Sequence, residues 1–276
     1  MPCFIRKLTP DGIVPVGYSA DSLADAAQYE PDNGIYTVTN TYQVTKVLKL
    51  GAHLDRMEDS ARRAGFELEL DRPRLRTALC EMILQANYGD VRFRVTVTAD
   101  KPDTFIISLE PFSPPSQKLI EEGVHCITAP NSARHSAEMK ATSWMHDRKR
   151  LADAMPAGIY DTFLLDADGN MMEGLGANFY GILSGTLHTA GTGVLKGIAQ
   201  QIVLEVAPDI LPIQMDAVHV SQIGQLEESF LTSSSRGIIP VVAIDGILIG
   251  AGVPGPLTRQ LIAAYRAWVD AHLEAL

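Results

Sequence analysis

Residues 173–180 read Glu-Gly-Leu-Gly-Ala-Asn-Phe-Tyr. The apolar residues that follow, up to Leu183, and the stretch 186–189 predict a β-hairpin that turns at Ser184-Gly185. The glycines on either side of Leu175 leave room for a ligand to approach the backbone closely. Glu173 is therefore a candidate for binding such a ligand, although a glutamate in a turn is commonly a plain surface charge.

Two further stretches are candidates for binding a phosphate group. Residues 192–198, Thr-Gly-Val-Leu-Lys-Gly-Ile, lead directly into a predicted helix, and the first backbone N–H groups of a helix are free to hold an anion. Residues 232–237, Thr-Ser-Ser-Ser-Arg-Gly, offer clustered hydroxyl groups after a predicted strand. Taken alone, each stretch is more often an ordinary helix start or polar loop. Neither matches the Gly-Lys-Ser/Thr pattern of a P-loop.

These stretches belong to an ordered series of segments that runs from about residue 30 to about residue 262. Its other members are Asp32-Asn33-Gly34-Ile35-Tyr36, His53-Leu54-Asp55-Arg56-Met57, Ile239-Pro240-Val241, Ile244-Asp245-Gly246 and Gly252-Val253-Pro254-Gly255-Pro256. The series resembles the class IV aminotransferases, which are the fold-type IV enzymes that use pyridoxal 5'-phosphate (PLP). That family includes branched-chain aminotransferases, D-amino-acid aminotransferases and aminodeoxychorismate lyases.

The resemblance implies a catalytic lysine and a set of cofactor contacts. Lys140 fits the position of the lysine that forms a Schiff base with PLP, a role that lysine amines serve. Lys149 is the alternative, but it lies inside a helix predicted over 143–154. Glu173 would face the nitrogen of the pyridine ring. The cofactor-binding residues that the resemblance implies are Arg56, Lys140, Glu173, Gly197, Ile198, Ala199 and Ser234.

A substrate carboxylate needs a pocket with positive charge or several donors. Arg92 and Arg94 alternate on a strand predicted over 91–98, so both point to the same face and one or both could bind it. The alternative is a solvent-facing pair on an edge strand. Family position adds further residues to the predicted substrate pocket, namely Tyr36, Trp144, Ser233, Ser235 and Arg236.

The chain also departs from the family pattern at several positions. Leu175 stands where a small residue is usual, and Ala199-Gln200 stands where a hydroxyl residue precedes a cation. Thr37 replaces an acidic residue, and Asn40 replaces an arginine. These changes leave substrate choice and affinity for the cofactor phosphate open.

The predicted elements indicate an α+β protein of two domains. The resemblance specifies a small α/β sandwich domain and a larger barrel-like domain. The prolines of 111–117 predict a linker, which gives a first domain over 1–112, a linker over 113–119 and a second domain over 120–276 that carries the lysine. Predicted helices begin at about Asp71 and near Pro256.

Composition excludes several other functions. The chain of 276 residues carries a formal net charge of −10, which disfavours nucleic-acid binding. It contains no apolar run of the ~20 residues that a membrane span needs. Its seven His and three Cys show no metal-ligand spacing, and sparse cysteines suggest a reducing compartment, so we expect a cytoplasmic protein without a metal. The resemblance implies a homodimer.

We therefore expect a transaminase that moves an amino group between a small amino acid or amine and a 2-oxo acid. A PLP lyase of the aminodeoxychorismate type uses the same lysine and remains an alternative, as does a non-catalytic PLP-binding relative. A hydrolase is disfavoured, because Ser184 is one place too late for a Gly-x-Ser-x-Gly motif.

Overall fold

The fold combines an antiparallel sheet with a closed barrel. The computed structural model describes residues 2–276. In chain order the strands are β1 Phe4–Thr9, β2 Gly12–Pro15, β3 Gly34–Asn40, β4 Lys46–Leu48, β5 Val91–Thr98, β6 Lys101–Pro111, β7 Val124–Ala129, β8 Asp161–Leu165, β9 Met171–Gly174, β10 Asn178–Leu183, β11 Thr186–His188, β12 Ile213–Gln214, β13 Glu228–Ser233, β14 Gly237–Ile244, β15 Ile247–Leu248 and β16 Leu273–Ala275.

The α-helices, in chain order, are α1 Leu23–Ala26, α2 Leu50–Arg63, α3 Arg72–Ala86, α4 Gln117–Glu122, α5 Thr142–Asp153, α6 Ile198–Val206 and α7 Pro256–Ala271. Short 3-10 helices cover Ala27–Tyr29, Ala207–Asp209 and Val220–Gln225. None of the helices in residues 2–276 has the length and apolar character needed to cross a membrane.

The chain divides into two compact units. The first consists of the residues up to Ser113 together with Met139–Asp147 and His272–Leu276, and the second consists of Pro114–Glu138 and Arg148–Ala271. The first division lies inside the linker predicted over 113–119. The assignment of Met139–Asp147 differs from the sequence prediction, because it places Lys140 in the first unit. The reason is a pairing with β3, a strand about a hundred residues earlier, which local sequence patterns cannot reveal.

The first unit is built on a five-stranded antiparallel sheet in the order β2-β1-β6-β5-β3, which leaves β3 at one edge. Helices α2 and α3 bury their apolar faces with alternate residues of this sheet in one core cluster, which includes Leu54, Met57, Leu79, Phe93 and Val95. The carboxylate of Asp71 caps α3 by accepting a hydrogen bond from the N–H of Arg74 at 3.1 Å, as the sequence predicted. This layered arrangement confirms the predicted α/β sandwich.

The second unit contains a closed barrel of six strands. They follow the order β10-β13-β14-β7-β8-β9, and a pairing between Asn178 of β10 and Glu173 of β9 closes the circle. Closure removes the exposed strand edges that an open sheet would have. Glu173 therefore lies at the seam of the barrel, which confirms the predicted barrel-like domain and fixes the backbone on which the carboxylate sits.

Most predicted elements are present, and the missed ones share a cause. Helices α5 and α7 begin within one residue of their predicted starts, and the hairpins turn at Ser184-Gly185 and Asp245-Gly246. Strands β1 and β2 were not predicted, and neither were the short strands β4, β12 and β16. The last three have only two or three residues each, which is too few for a hydrophobic alternation to show.

Candidate active site

Lys140 lies in a short extended stretch that runs along the outer edge of β3. The N–H of Tyr36 donates to the carbonyl of Lys140 at 3.0 Å, and Ala141 forms an antiparallel bridge with Ile35. On its other side, the N–H of Lys140 donates to Oγ of Ser60 on α2 at 3.2 Å. Both backbone groups of Lys140 are thus held, which fixes the direction in which its side chain leaves the main chain.

Thr142, the first residue of α5, secures the end of this stretch. Its Oγ1 accepts a hydrogen bond from the N–H of Gly34 at 2.9 Å and donates one to the carbonyl of Gly34 at 3.0 Å. A Cβ at position 34 would lie 2.9 Å from the carbonyl oxygen of Val97. The glycine of the Asp32–Tyr36 segment is therefore required by a close approach of two chain segments.

The ammonium group of Lys140 lies 4.8 Å from the centroid of the Tyr36 ring. Tyr36 is fully buried, and a cation facing an aromatic ring is attracted to its electron density. Two residues that the sequence singled out are thus in contact. Trp144 lies in the first turn of α5, where its N–H donates to the carbonyl of Ala141 at 3.2 Å.

Lys149, the alternative lysine, has different surroundings. Its side chain is 64% exposed on α5, and its Nζ pairs with the carboxylate of Asp153 at 2.6 Å, one turn further along the helix. A pair of this kind is typical of a solvated helix surface. These surroundings favour Lys140 as the candidate Schiff-base lysine.

One face of α2 carries a polar cluster formed by His53, Arg56 and Ser60, whose spacing of three and four residues aligns them. Nη2 of Arg56 lies 3.3 Å from Oγ1 of Thr37 on β3 and 3.4 Å from Nδ1 of His53. Oγ1 of Thr37 lies 2.7 Å from the same Nδ1. Sequence reasoning proposed Arg56 but gave no role to His53 or Thr37, although the helical spacing from Arg56 pointed to His53.

The electrostatics of this cluster follow from burial. Desolvation, together with the positive charges of Arg56 and Lys140, lowers the pKa of His53 well below its ordinary value, so the imidazole is neutral. Burial also lowers the pKa of Arg56 to about 10, at which the guanidinium is still charged at neutral pH. The cluster therefore presents positive charge to a ligand.

The acidic residues beside Arg56 in sequence pair with a different arginine. Asp55 and Glu58 both bind Arg72, at 2.7 and 2.5 Å. This arrangement argues against the alternative that Arg56 is an ordinary helix charge balanced by its neighbours. A buried guanidinium of this kind is suited to bind an anion such as a phosphate through its planar fork.

In the second unit, the Glu173 carboxylate is buried and accepts two hydrogen bonds. Nη1 of Arg134 donates to Oε1 at 3.0 Å, and the N–H of Leu195 donates to Oε2 at 3.1 Å. The Arg134 and Glu173 side chains are only 8% and 6% exposed. Each carboxylate oxygen can accept a further hydrogen bond, so Glu173 can also face a protonated ring nitrogen. Sequence reasoning missed Arg134, because nothing in the local pattern distinguishes it from a surface arginine.

The N-terminus of α6 is shaped to receive an anion. Gly197 is its N-cap, no side chain caps the helix, and the first N–H groups have no partner four residues earlier. The amide of Asn178 donates to the carbonyl of Leu195 at 2.8 Å, and its Oδ1 would lie 2.2 Å from a Cβ at position 197. The predicted residues Gly197, Ile198 and Ala199 thus form one exposed row of backbone donors.

Residues 233–236 connect β13 to β14 and contain three predicted substrate-binding residues. Nε of Arg236 donates to Oγ of Ser233 at 2.9 Å. Oγ of Ser235 is buried and has no hydrogen-bond partner within residues 2–276. Ser234, the predicted phosphate ligand, is partly exposed in the same turn. The turn therefore combines a cation with at least one hydroxyl group that a ligand could engage.

Arg236 also connects this turn to the Glu-Gly-Leu-Gly segment. Its Nη2 donates to the carbonyl of Gly176 at 3.3 Å and lies 3.5 Å from Oδ2 of Asp161. The buried carboxylate of Asp161 accepts a hydrogen bond from the N–H of Leu175 at 3.0 Å. Asp161, which sequence reasoning did not select, thus joins two turns that carry candidate site residues.

The two arginines of β5 have unlike surroundings. Arg94 is buried, and it pairs with the buried carboxylate of Glu30 and donates to the carbonyl of Leu23 at 2.8 Å. Arg92 is 40% exposed and lies 3.4 Å from the carboxylate of Glu110. The expectation that Arg94 binds substrate is not carried forward, because its charge is already balanced inside the first unit. For Arg92 the role remains a prediction.

The two units, the edge-strand lysine and the buried carboxylate at the barrel seam define a class of PLP enzyme. Residues 34–244 match the family "Amino-transferase class IV", so the chain belongs to the class IV aminotransferases. It is an enzyme that transfers amino groups and uses PLP.

Individual relatives show the same affiliation. The chain is 28% identical to a D-alanine aminotransferase of Bacillus licheniformis over 249 residues, which cover 86% of this chain and 87% of that protein. It is 25% identical to a branched-chain-amino-acid aminotransferase of Pseudomonas aeruginosa, over 86% of this chain and 83% of that protein.

Solved structures agree in fold. A branched-chain amino acid aminotransferase of T.th. with pyridoxamine 5'-phosphate has a TM-score of 0.83, with 19% identity over 98% of both chains. The Escherichia coli branched-chain enzyme has a TM-score of 0.81, with 18% identity over 99% of this chain and 97% of that chain. At such identities the likeness concerns the fold.

Proposed function

We propose that this chain transfers the amino group of an amino acid to a 2-oxo acid, with Lys140 as the lysine that binds PLP. The observation that carries this proposal is the placement of Lys140. Its backbone is held by Tyr36 and Ser60, and its ammonium group lies over the Tyr36 ring near the charged Arg56. A lysine held in this way can act repeatedly on a reacting atom at one place.

The residues present fit PLP. A phosphate group suits the charged Arg56, the row of N–H groups at Gly197, Ile198 and Ala199, and the hydroxyl of Ser234. A ring nitrogen that carries a proton suits the Glu173 carboxylate, which Arg134 keeps in place. PLP, when bound, withdraws electrons from the substrate and stabilises negative charge at its Cα.

The side chains would then divide the work. Lys140, once released by the incoming amine, takes the proton from the substrate Cα and returns one to the cofactor side of the new bond. Glu173 holds the proton on the ring nitrogen. Proposed substrate ligands are Tyr36, Arg92, Trp144, Ser233, Ser235 and Arg236.

We extend the proposal to amino acids with apolar side chains. The relatives are named for D-alanine and for branched-chain amino acids, all of which have apolar side chains. The lyase and the non-catalytic alternatives are not favoured, because the named relatives are aminotransferases. The homodimer and the cytoplasmic location that the sequence suggested also belong to this proposal.

The deciding experiment is a visible absorption spectrum of the protein with PLP, before and after borohydride. We expect a yellow band that borohydride removes, with the fixed mass on the peptide that contains Lys140. A label spread over exposed lysines such as Lys149 would contradict the proposal. A panel of D-alanine, L-leucine and L-valine with a 2-oxo acid then identifies the donor, and turnover without any 2-oxo acid would instead indicate the lyase.

A further inference from the structure

We propose that Thr37 and His53 are positioning residues that orient the Arg56 guanidinium toward the phosphate of PLP. The inference rests on the proposed function, since it takes Arg56 as a phosphate ligand. Neither Thr37 nor His53 has to touch the cofactor. They act through the contacts that join β3 to one face of α2.

The three side chains form a directed chain of hydrogen bonds. A guanidinium can only donate, so Nη2 of Arg56 donates to Oγ1 of Thr37 at 3.3 Å. The hydroxyl of Thr37 is then free to donate its own proton to Nδ1 of His53 at 2.7 Å. This direction requires an unprotonated Nδ1, which also suits the approach of Nη2 to the same atom at 3.4 Å. The network therefore assigns the proton of the neutral imidazole to Nε2.

The rigidity of the partners makes this chain effective. Thr37 and His53 are buried, and a β-branched side chain on a strand has restricted rotation. Arginine has a long side chain and loses considerable rotamer freedom when a ligand fixes it. Contacts that hold the guanidinium in advance lower this entropic cost of phosphate binding.

The chemical nature of Thr37 matters as well. A hydroxyl accepts a hydrogen bond from Arg56 without carrying a negative charge. A carboxylate at position 37 would instead pair with the guanidinium and compete with a phosphate. The chain thus uses a neutral acceptor to direct a charged donor without neutralising it.

The experiment compares PLP with pyridoxal, which has the same ring and aldehyde but no phosphate. Dissociation constants for the apoprotein are measured by the absorption band for the wild-type chain and for Thr37→Val, which removes one hydroxyl at nearly constant volume. We expect the Kd for PLP to rise about ten-fold. The Kd for pyridoxal is expected to stay unchanged, because Arg56 acts only on the phosphate.

Thr39→Val is the matched control, because Thr39 is also buried on β3 and lies two residues along on the same face. It should leave both constants unchanged. In an Arg56→Met background, Thr37→Val should have no further effect on PLP binding, since the side chain that it orients is gone. Serine and alanine at position 37 form a second pair that differs by one hydroxyl, for use if the valine variant does not fold.

The outcomes separate the two proposals. If neither ligand gives a lysine-bound band with the wild-type chain, the proposed function fails. If wild type binds both ligands and Thr37→Val weakens neither, or weakens both equally, only the positioning role is overturned. Equal Kd values for PLP with serine and alanine at position 37 would overturn it in the same way.

Discussion

The carbonyl of Lys140 accepts a hydrogen bond from the N–H of Tyr36 at 3.0 Å, while Nζ of the same lysine lies 4.8 Å from the Tyr36 ring. One aromatic residue on an edge strand thus contacts both ends of the candidate catalytic lysine. This relationship makes the lysine's position depend on the strand, whose own place is set by the buried core of the first unit.

Replacing Lys140 by alanine tests the central assignment. We expect turnover to fall by at least roughly 10³-fold, because the group that moves the proton is lost. The fold should persist, since Ser60 and Tyr36 bind only the backbone of residue 140. Lys149→Ala, on the exposed side of α5, serves as the control and should retain full turnover. Near-normal transamination by the Lys140 variant, measured at saturating substrate, would remove the assignment.

Glu173→Gln removes the negative charge at the barrel seam. We expect PLP to remain bound and kcat to fall roughly 10²-fold, because the ring nitrogen loses the carboxylate that holds its proton. Stopped-flow absorption would place the loss in the proton-transfer step. An unchanged rate of that step would mean that Glu173 serves the barrel rather than the cofactor.

Gly197→Ala probes the N-terminus of α6. A Cβ at this position would lie 2.2 Å from Oδ1 of Asn178, so the asparagine must move and its bond to Leu195 must weaken. We expect a higher Kd for PLP with little change for pyridoxal, measured by absorption titration. Gly224→Ala is the control, because nothing lies within 4 Å of a Cβ there. Equal behaviour of the two variants would speak against a phosphate site at this helix.

The two arginines of β5 should differ strongly in their effect on stability. Arg94→Met leaves the buried Glu30 carboxylate without its cation, and we expect the free energy of unfolding in urea to fall by about 3–5 kcal/mol. Arg92→Met removes a half-exposed pair with Glu110 and should cost less than about 1 kcal/mol. Should both variants be equally stable, the structural role of Arg94 would be wrong.

The buried His53 predicts a dependence of stability on pH. Its pKa in the folded state is well below 6.5, the ordinary value that applies when the chain is unfolded. As pH falls below 6.5 the unfolded state takes up a proton that the folded state refuses, so the free energy of unfolding decreases. Urea unfolding over this pH range should show a smaller decrease in a His53→Gln variant. A decrease of the same size in that variant would assign it to other groups.

The extent to which the sequence predicted this structure depends on how local each feature is. The caps, hairpins and long helices were predictable because Asp71, Ser184-Gly185 and Pro256 carry their structural preference within a few residues. The ordered motifs predicted the fold type and most candidate residues. The partners of those residues were not predictable from local pattern, because Arg134 lies 39 positions from Glu173 and Glu30 lies 64 positions from Arg94.

The pairing of β4 with β16 has a consequence for the order in which this chain folds. Helix α2, which carries Arg56, begins after Lys49 with no side-chain cap of its own, and the N–H of Leu50 instead donates to the Glu274 carboxylate at 2.8 Å. These partners are separated by 224 positions, so a growing polypeptide presents the helix long before its cap is synthesised. Such late, non-local closure slows folding. The last step of folding in the first unit is therefore expected to coincide with the completion of translation, after the barrel strands have already emerged.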